Sequence, residues 1–209
     1  MLNPIERVSE IVFGVLMAIT FTGSVSVAAD GSAEVRTMLF AAFGCNLAWG
    51  LADAAMYLVS TLTERARATA LLLRLRAEAD PAEARSLLAR ALPDLARQLV
   101  GPDELEAMRR RLHALPGLPE QARLNSDDYA GAAGVFALVV LATIPLAVPF
   151  VIFSNPAFAI RASNLAAIVT LFLGGWYLGR YAGGRPWLGG FTLTAVGVAL
   201  VTAIVALGG

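Results

Sequence analysis

The sequence contains no lysine: its 16 basic residues are all arginine, and they are balanced by 16 acidic residues. It has a single cysteine, Cys45, and a single histidine, His113. One cysteine excludes a disulfide framework within the chain, so we expect Cys45 to pack as a small apolar side chain. A lone histidine in a helix is more often solvated than metal-bound, and we assign His113 no role.

Sequence motifs of catalysis are also missing. The chain has no phosphate-binding glycine loop, no arrangement typical of a catalytic triad and no zinc-ligand spacing. We therefore expect a protein that is not an enzyme, that holds no resident cofactor and that binds no nucleic acid.

Apolar residues dominate the composition. Hydrophobic residues make up 57% of the chain, charged residues make up 15%, and the mean hydropathy is +0.68, which is more apolar surface than one soluble core can bury. Five runs are long enough, at about 20 residues, to cross a bilayer, and each must be a helix because an open sheet cannot span lipid. They cover residues 10–28, 38–60, 129–153, 164–181 and 187–207. The sequence thus predicts an all-α integral membrane protein with five transmembrane helices.

The placement of arginine predicts the orientation of these helices. Most arginines lie between the second and third runs, and only Arg36 and Arg161 fall on the opposite side of the membrane. By the positive-inside rule, the N-terminus and the long insert are cytoplasmic, and the C-terminus lies outside the cytosol. The acidic residues Glu6 and Glu10 at the start of the first run argue against a cleaved signal peptide. From the compact chain and the absence of targeting signals, we expect a bacterial inner membrane.

The segment between the second and third runs predicts a cytoplasmic insert of three helices. Residues 63–76 continue the second helix without a breaker. Asp80 caps the start of the next helix, Pro93 kinks or splits it, and Pro102 opens the last one. The chain then divides into membrane helices, insert and membrane helices, with limits at 1–62, 63–126 and 127–209.

Asp53 is the most informative residue, because it lies within an apolar run. An aspartate inside a bilayer costs roughly 2.5 to 3.5 kcal/mol, so such residues usually line an ion or proton route. Asn46 and Tyr57 lie on the same helix face as Asp53, seven residues before it and four after it. On the first run, Glu10 and Met17 share a face, and counting from the expected membrane boundary places Met17 at the depth of Asp53.

A carboxylate oxygen and a thioether sulfur at one depth suit a borderline divalent metal such as Fe²⁺. Because burial favours the neutral form of a carboxyl group, Asp53 could exchange a proton for the metal. We therefore predict a transport path formed by Asp53, Met17 and Asn46, with Tyr57 beside them. Glu10 is expected at the membrane boundary, as an interfacial residue or a first contact for ions. The alternative is that Met17 only packs and Asn46 only joins two helices.

The order of two spans, a helical insert and three further spans resembles the vacuolar iron transporter family. The third run is similar to the family's Pro-x-x-x-Pro-Phe pattern at Pro145, Pro149 and Phe150. The glycine-punctuated end of the chain, residues 173–209, is similar to the family's last two helices. Residues 54–60 can be laid on its Met-Ala-Ala-Gly-Glu-Tyr-Val-Ser segment.

The resemblance implies export of Fe²⁺ or Mn²⁺ from the cytosol in exchange for protons. It also implies a homodimer whose path is lined by the first two helices of both chains. Asp53 stands where the family has its pathway methionine, and Met17 where the family has its pathway aspartate, so the two ligand types are exchanged between helices. The insert lacks the family's row of metal-collecting glutamates and keeps only Glu64 and Glu78 near its first helix.

Two alternatives to metal transport stay open. The chain could be a membrane scaffold or partner-binding protein that keeps the fold without transport, with Asp53 paired by Asn46, Tyr57 or a neighbouring helix. It could instead transport a different substrate, since the loss of acidic residues from the insert weakens the case for iron.

Overall fold

The computed structural model describes residues 4–28, 32–117 and 121–206. Every regular element in these ranges is an α-helix, so the all-α class is confirmed for them. The helices are α1 (Pro4–Ala28), α2 (Ser32–Ala77), α3 (Pro81–Ala91), α4 (Asp94–Leu99), α5 (Pro102–Ala114), α6 (Ser126–Ile152), α7 (Pro156–Tyr181) and α8 (Pro186–Ala206).

Three helices in the described part of the chain are long and apolar enough to cross a membrane. They cover Leu39–Ala77, Ser126–Ile152 and Pro156–Tyr181, and α8 adds a shorter apolar stretch, Pro186–Leu200. Pro145 and Pro149 lie inside α6 without ending it. Helices in lipid tolerate such prolines, because neighbouring groups and local adjustments satisfy the freed backbone carbonyls.

Some helices extend beyond the predicted apolar runs, because the polar residues that flank those runs are also helical. α7 begins at Pro156, eight residues before the predicted start, and Asn155 caps it by accepting hydrogen bonds from two backbone amides at 3.0 and 3.4 Å. α2 is a single helix of 46 residues and continues past the second apolar run, as its unbroken helix-forming sequence predicted. The predicted end of the last run, at residue 207, lies outside the described residues.

The chain forms two compact units, Met1–Leu58 with Ser126–Gly209, and Val59–Asn125. In the first unit, α1 packs against α6, α7 and α8, and α7 packs against α8, whereas α2 approaches its neighbours less closely. The core of this unit consists of buried aliphatic side chains: Val15, Ala18, Ile19, Ala142, Leu146, Ala167 and Leu171.

Two glycines bring backbones of the first unit into close approach. A Cβ added to Gly14 of α1 would lie 2.8 Å from the carbonyl oxygen of Val139 on α6. A Cβ added to Gly175 of α7 would lie 2.8 Å from the Cβ of Leu193 on α8. Small residues at such crossings increase van der Waals contact, which drives helix association in lipid.

The second unit is a leucine-centred bundle of the end of α2 with α3 and α5. Asp80 caps α3 by accepting a hydrogen bond from a backbone amide at 2.8 Å, as the sequence predicted. Pro93 separates α3 from α4, and Arg97 of α4 donates to the Ala89 and Leu92 carbonyls at 2.9 and 3.2 Å. The buried core of the unit is Leu75, Leu87, Leu88 and Leu112.

Glu106 joins two arginines along α5. Its carboxylate accepts hydrogen bonds from Arg109 at 2.8 and 3.0 Å and from Arg110 at 3.1 Å. These bonds lower the pKa of Glu106 from 4.5 to about 2. Because the pKa is depressed in the folded state, the stabilisation is complete above about pH 4.5 and is lost as the pH falls to about 2.

We expect Glu106→Gln to speed amide hydrogen exchange in α5 at pH 7, because the substitution removes charge-assisted bonds that the folded state makes. The difference from the unsubstituted protein should shrink below about pH 4 and vanish near pH 2. Hydrogen exchange of the full chain, followed by mass spectrometry of α5 peptides, measures the acceleration at pH 7 and its disappearance at low pH. Arg111→Gln is the control, and equal acceleration there would contradict the assignment to Glu106.

Candidate functional site

Helix α2 presents a narrow buried stripe to its neighbours. The buried positions of the stripe recur every four residues, which keeps them on one face of the helix. Asp53, which is half-buried, lies beside the stripe. α2 lies close to α6 at Gly50, because glycine has no side chain there: an added Cβ would lie 3.3 Å from the Phe136 ring. The buried positions are Ala42, Asn46, Gly50 and Ala54.

The carboxyl group of Asp53 lies within hydrogen-bonding distance of the carboxyl group of Glu10 on α1. An ionised carboxylate only accepts hydrogen bonds, so one of the two must carry a proton when they bond. Glu10 Oε2 and Asp53 Oδ2 are enclosed and have no hydrogen-bond partner. Glu10, expected at the membrane boundary, is thus a close neighbour of Asp53, and each of the two carboxyl groups keeps one enclosed oxygen without a partner.

Asn46 joins α2 to α1 two turns from Asp53. Its Nδ2 donates a hydrogen bond to the carbonyl oxygen of Gly14 at 3.3 Å, and the residue is 1% exposed. Its Oδ1 has no partner. Since Asp53 lies beside Glu10 and Asn46 beside Gly14, the two helices run antiparallel and this register fixes the depth of every residue along them.

Met17 is half-buried on α1 and does not share the depth of Asp53. Asp53 lies level with Glu10, and Met17 is seven residues further along α1, about 10 Å at 1.5 Å per residue. The predicted common depth is wrong because it was counted from assumed membrane boundaries, whereas α1 begins at Pro4 and α2 continues to Ala77. Within one chain the sulfur and the carboxylate form no ligand pair.

Tyr57 lies against α6 one turn from Asp53. A Cβ added to Gly131 would lie 2.5 Å from the Tyr57 hydroxyl oxygen and 2.8 Å from two of its ring carbons. Gly131 is buried and Tyr57 is half-buried. The tyrosine ring therefore occupies space that a side chain at position 131 would need.

Sequence reasoning missed Gly14 and Gly131. A glycine inside a long helix signals a close approach of another group, and this signal was available at both positions. It does not say which helix or side chain approaches. Neither the Asn46 bond to Gly14 nor the position of Tyr57 follows from the sequence.

The donor set at this site is made of oxygen atoms. No group of three or more His, Cys, Asp or Glu side chains within the described ranges is placed to hold a metal ion. Glu10 and Asp53 supply two carboxyl groups, and Asn46 adds an amide oxygen two turns away. Carboxylate and amide oxygens are ligands that suit harder divalent cations.

Comparison with known proteins adds no relative to this picture. No protein-family model matches the sequence, and no curated protein matches it significantly.

Asn46→Leu should leave the thermal stability of the protein unchanged or slightly raised. The hydrogen bond to Gly14 contributes about 0.5 to 1.5 kcal/mol, whereas a buried, unpartnered oxygen costs about 1 to 3 kcal/mol. Leucine removes both and keeps the number and branching of the side-chain heavy atoms. Thermal unfolding in detergent measures the effect, with Asn46→Ala as the comparison that also leaves a cavity and lowers stability. A large loss in Asn46→Leu would show that the hydrogen bond holds α1 and α2 together.

Proposed function

We propose that this protein transports a divalent metal ion, Fe²⁺ or Mn²⁺, out of the cytosol in exchange for protons. The observation that carries the proposal is the contact between the Glu10 and Asp53 carboxyl groups, each with one enclosed oxygen that lacks a partner. Carboxyl groups within apolar helices are costly and usually mark the routes of ions and protons.

The carboxyl pair can couple metal and proton because the same atoms bind both. While the two groups are hydrogen-bonded to each other, they hold at least one proton. A divalent cation binds the ionised form, so metal binding requires the proton to leave. Reprotonation then weakens the hold on the metal, which links the two movements in opposite directions.

The oxygen donors bear on the choice between the two metals. A thioether at the depth of Asp53 would favour Fe²⁺, but the Met17 thioether is about 10 Å away along α1. Carboxylate oxygens without a sulfur ligand suit Mn²⁺ at least as well as Fe²⁺, and better than softer ions. Mn²⁺ is therefore the better supported cargo of the two.

A homodimer would complete the coordination sphere. Two carboxyl groups fill only part of the coordination sphere of a divalent ion, and a two-fold related copy would double them. α2 leaves apolar side chains uncovered for such a partner, with Phe40 and Leu51 on one face at 71% and 66% exposed. This is the assembly that the resemblance to vacuolar iron transporters implies.

The same proposal gives the membrane arrangement. α1 and α8 join α2, α6 and α7 as five spans, with the N-terminus and the insert in the cytosol and the C-terminus outside it. Arginine placement supports this orientation. The three helices already long and apolar enough to span are consistent with it.

A membrane scaffold is the second candidate, because the exposed apolar surface of α2 could hold a different protein. A structural aspartate in such a scaffold should have its hydrogen bonds satisfied. Asp53 Oδ2 and Glu10 Oε2 have no partner. The unpartnered oxygens favour transport.

Transport by the purified protein in proteoliposomes tests the proposal. Fe²⁺, Mn²⁺, Co²⁺ and Zn²⁺ are supplied in turn under an imposed pH gradient, and metal uptake and internal pH are followed together. We expect metal and proton to move in opposite directions, with Mn²⁺ faster than Zn²⁺. A folded protein that moves none of these ions would favour the scaffold.

A further inference from the structure

The unpartnered oxygens of the carboxyl pair are closed off from solution. Glu10 Oε2 and Asp53 Oδ2 each have almost no accessible surface. An ion that binds them must first pass some group that moves. Binding of an ion at these two oxygens therefore requires a side chain or helix to move.

On one side of the pair, two turns along α2, lies a contact made by backbone and a buried amide. Asn46 donates to the Gly14 carbonyl, and Gly14 itself lies against the backbone of Val139 on α6. This three-helix contact is tight, because even a Cβ at Gly14 would lie 2.8 Å from the Val139 carbonyl oxygen. Opening it requires whole helices to separate.

On the other side, toward the N-terminal ends of α1 and α6, the aromatic side chain nearest in sequence to Asp53 is Tyr57. It lies one turn along α2 and on the same face as Asp53. Its ring fits against Gly131, where even one added carbon would be 2.5 Å from the hydroxyl oxygen. A ring held by packing against glycine can leave by side-chain rotation, without separating helices.

We propose that Tyr57 is the gate that admits ions to the Glu10 and Asp53 carboxyl groups, and that its ring packs against Gly131 of α6 in the closed state. The inference rests on the proposed transport function, since it assigns the access step of the same site. With the ring on Gly131 the pair is closed, and with the ring rotated away it is open to the side where α1 and α6 begin.

The accessibility of a thiol at position 53 tests the gate without requiring transport. Cys45 is the only cysteine, so Cys45→Ala with Asp53→Cys gives a single reporter in the full-length protein. The rate of its modification by a charged, water-soluble methanethiosulfonate reagent is measured in detergent. Gly131→Ala should raise the rate on the order of tenfold, because the added Cβ occupies the space of the Tyr57 ring and shifts the closed-to-open equilibrium by about that factor.

Three further variants keep the test decisive. Tyr57→Ala removes the ring without overpacking and should raise the rate at least as much, whereas Tyr57→Phe keeps the ring and should change it little. Gly44→Ala is the matched control, because a Cβ there meets nothing within 4 Å. Unchanged rates in both Gly131→Ala and Tyr57→Ala would overturn the gate, as would an equal increase in Gly44→Ala.

Failure of the gate and failure of the proposed function give different results. If modification follows Tyr57 as expected but no ion is transported, the gate stands and the transport proposal falls. If metal and protons exchange while modification ignores Tyr57 and Gly131, transport stands and the gate is wrong.

Discussion

Asp53→Asn should give a folded protein that takes up no metal above the background of empty vesicles. Asparagine keeps the volume of aspartate and can still hydrogen-bond to Glu10, but it has no charge to bind a divalent cation and no proton to exchange. Mn²⁺ uptake and proton movement, measured together in proteoliposomes at equal protein content, report both losses. Thermal unfolding in detergent shows whether the variant is folded.

Glu10→Gln removes the other carboxyl group of the pair and should have a different effect on transport. Asp53 can still ionise and bind metal, but its proton-sharing partner is lost, so we expect weakened uptake with less proton movement per metal ion. Asp103→Asn, at an exposed acid on α5, makes the same charge change away from the pair and should transport normally. Transport by Asp53→Asn at the unsubstituted rate would remove the pair from the mechanism.

The elements of this fold were predictable where a local signal decides them. Asp80 was predicted as a helix cap, and Pro93 as a break, because capping and proline act on the backbone within a few residues. The continuation of α2 through the end of the second apolar run followed from helix propensity in the same way. These features depend on neighbours in sequence alone.

The rotation and sliding of helices were not predictable in this way. The spacing of Glu10 and Met17 marks a face of α1, but the sequence does not give the level at which that face meets α2. The pairing of Asp53 with Glu10, rather than with Met17, is set by how far α1 and α2 slide past each other. That displacement depends on contacts such as Gly14 against Val139, which only the folded chain brings together.

Gly175→Ala should be among the most destabilising single-carbon changes in the first unit. The added Cβ would lie 2.8 Å from the Cβ of Leu193 and 2.8 Å from the carbonyl carbon of Gly189. Since the second contact is backbone, no side-chain rotation relieves it, and α7 and α8 must move apart. We expect a loss of about 3 kcal/mol, the upper end of the usual overpacking cost. For a chain of this size that corresponds to a fall of roughly 10 °C in the unfolding temperature.

Gly44→Ala provides the matched comparison, because it makes the same chemical change inside a helix that is long and apolar enough to span a membrane, at a position where a Cβ meets nothing within 4 Å. Alanine is favoured over glycine in a helix by about 1 kcal/mol, so this variant should unfold at the same temperature or higher. Thermal unfolding of both variants in one detergent gives the difference directly. Gly175→Ala as stable as Gly44→Ala would mean that α7 and α8 do not cross at Gly175 and Gly189. Gly44→Ala as unstable as Gly175→Ala would instead indicate that another chain packs against α2 at Gly44.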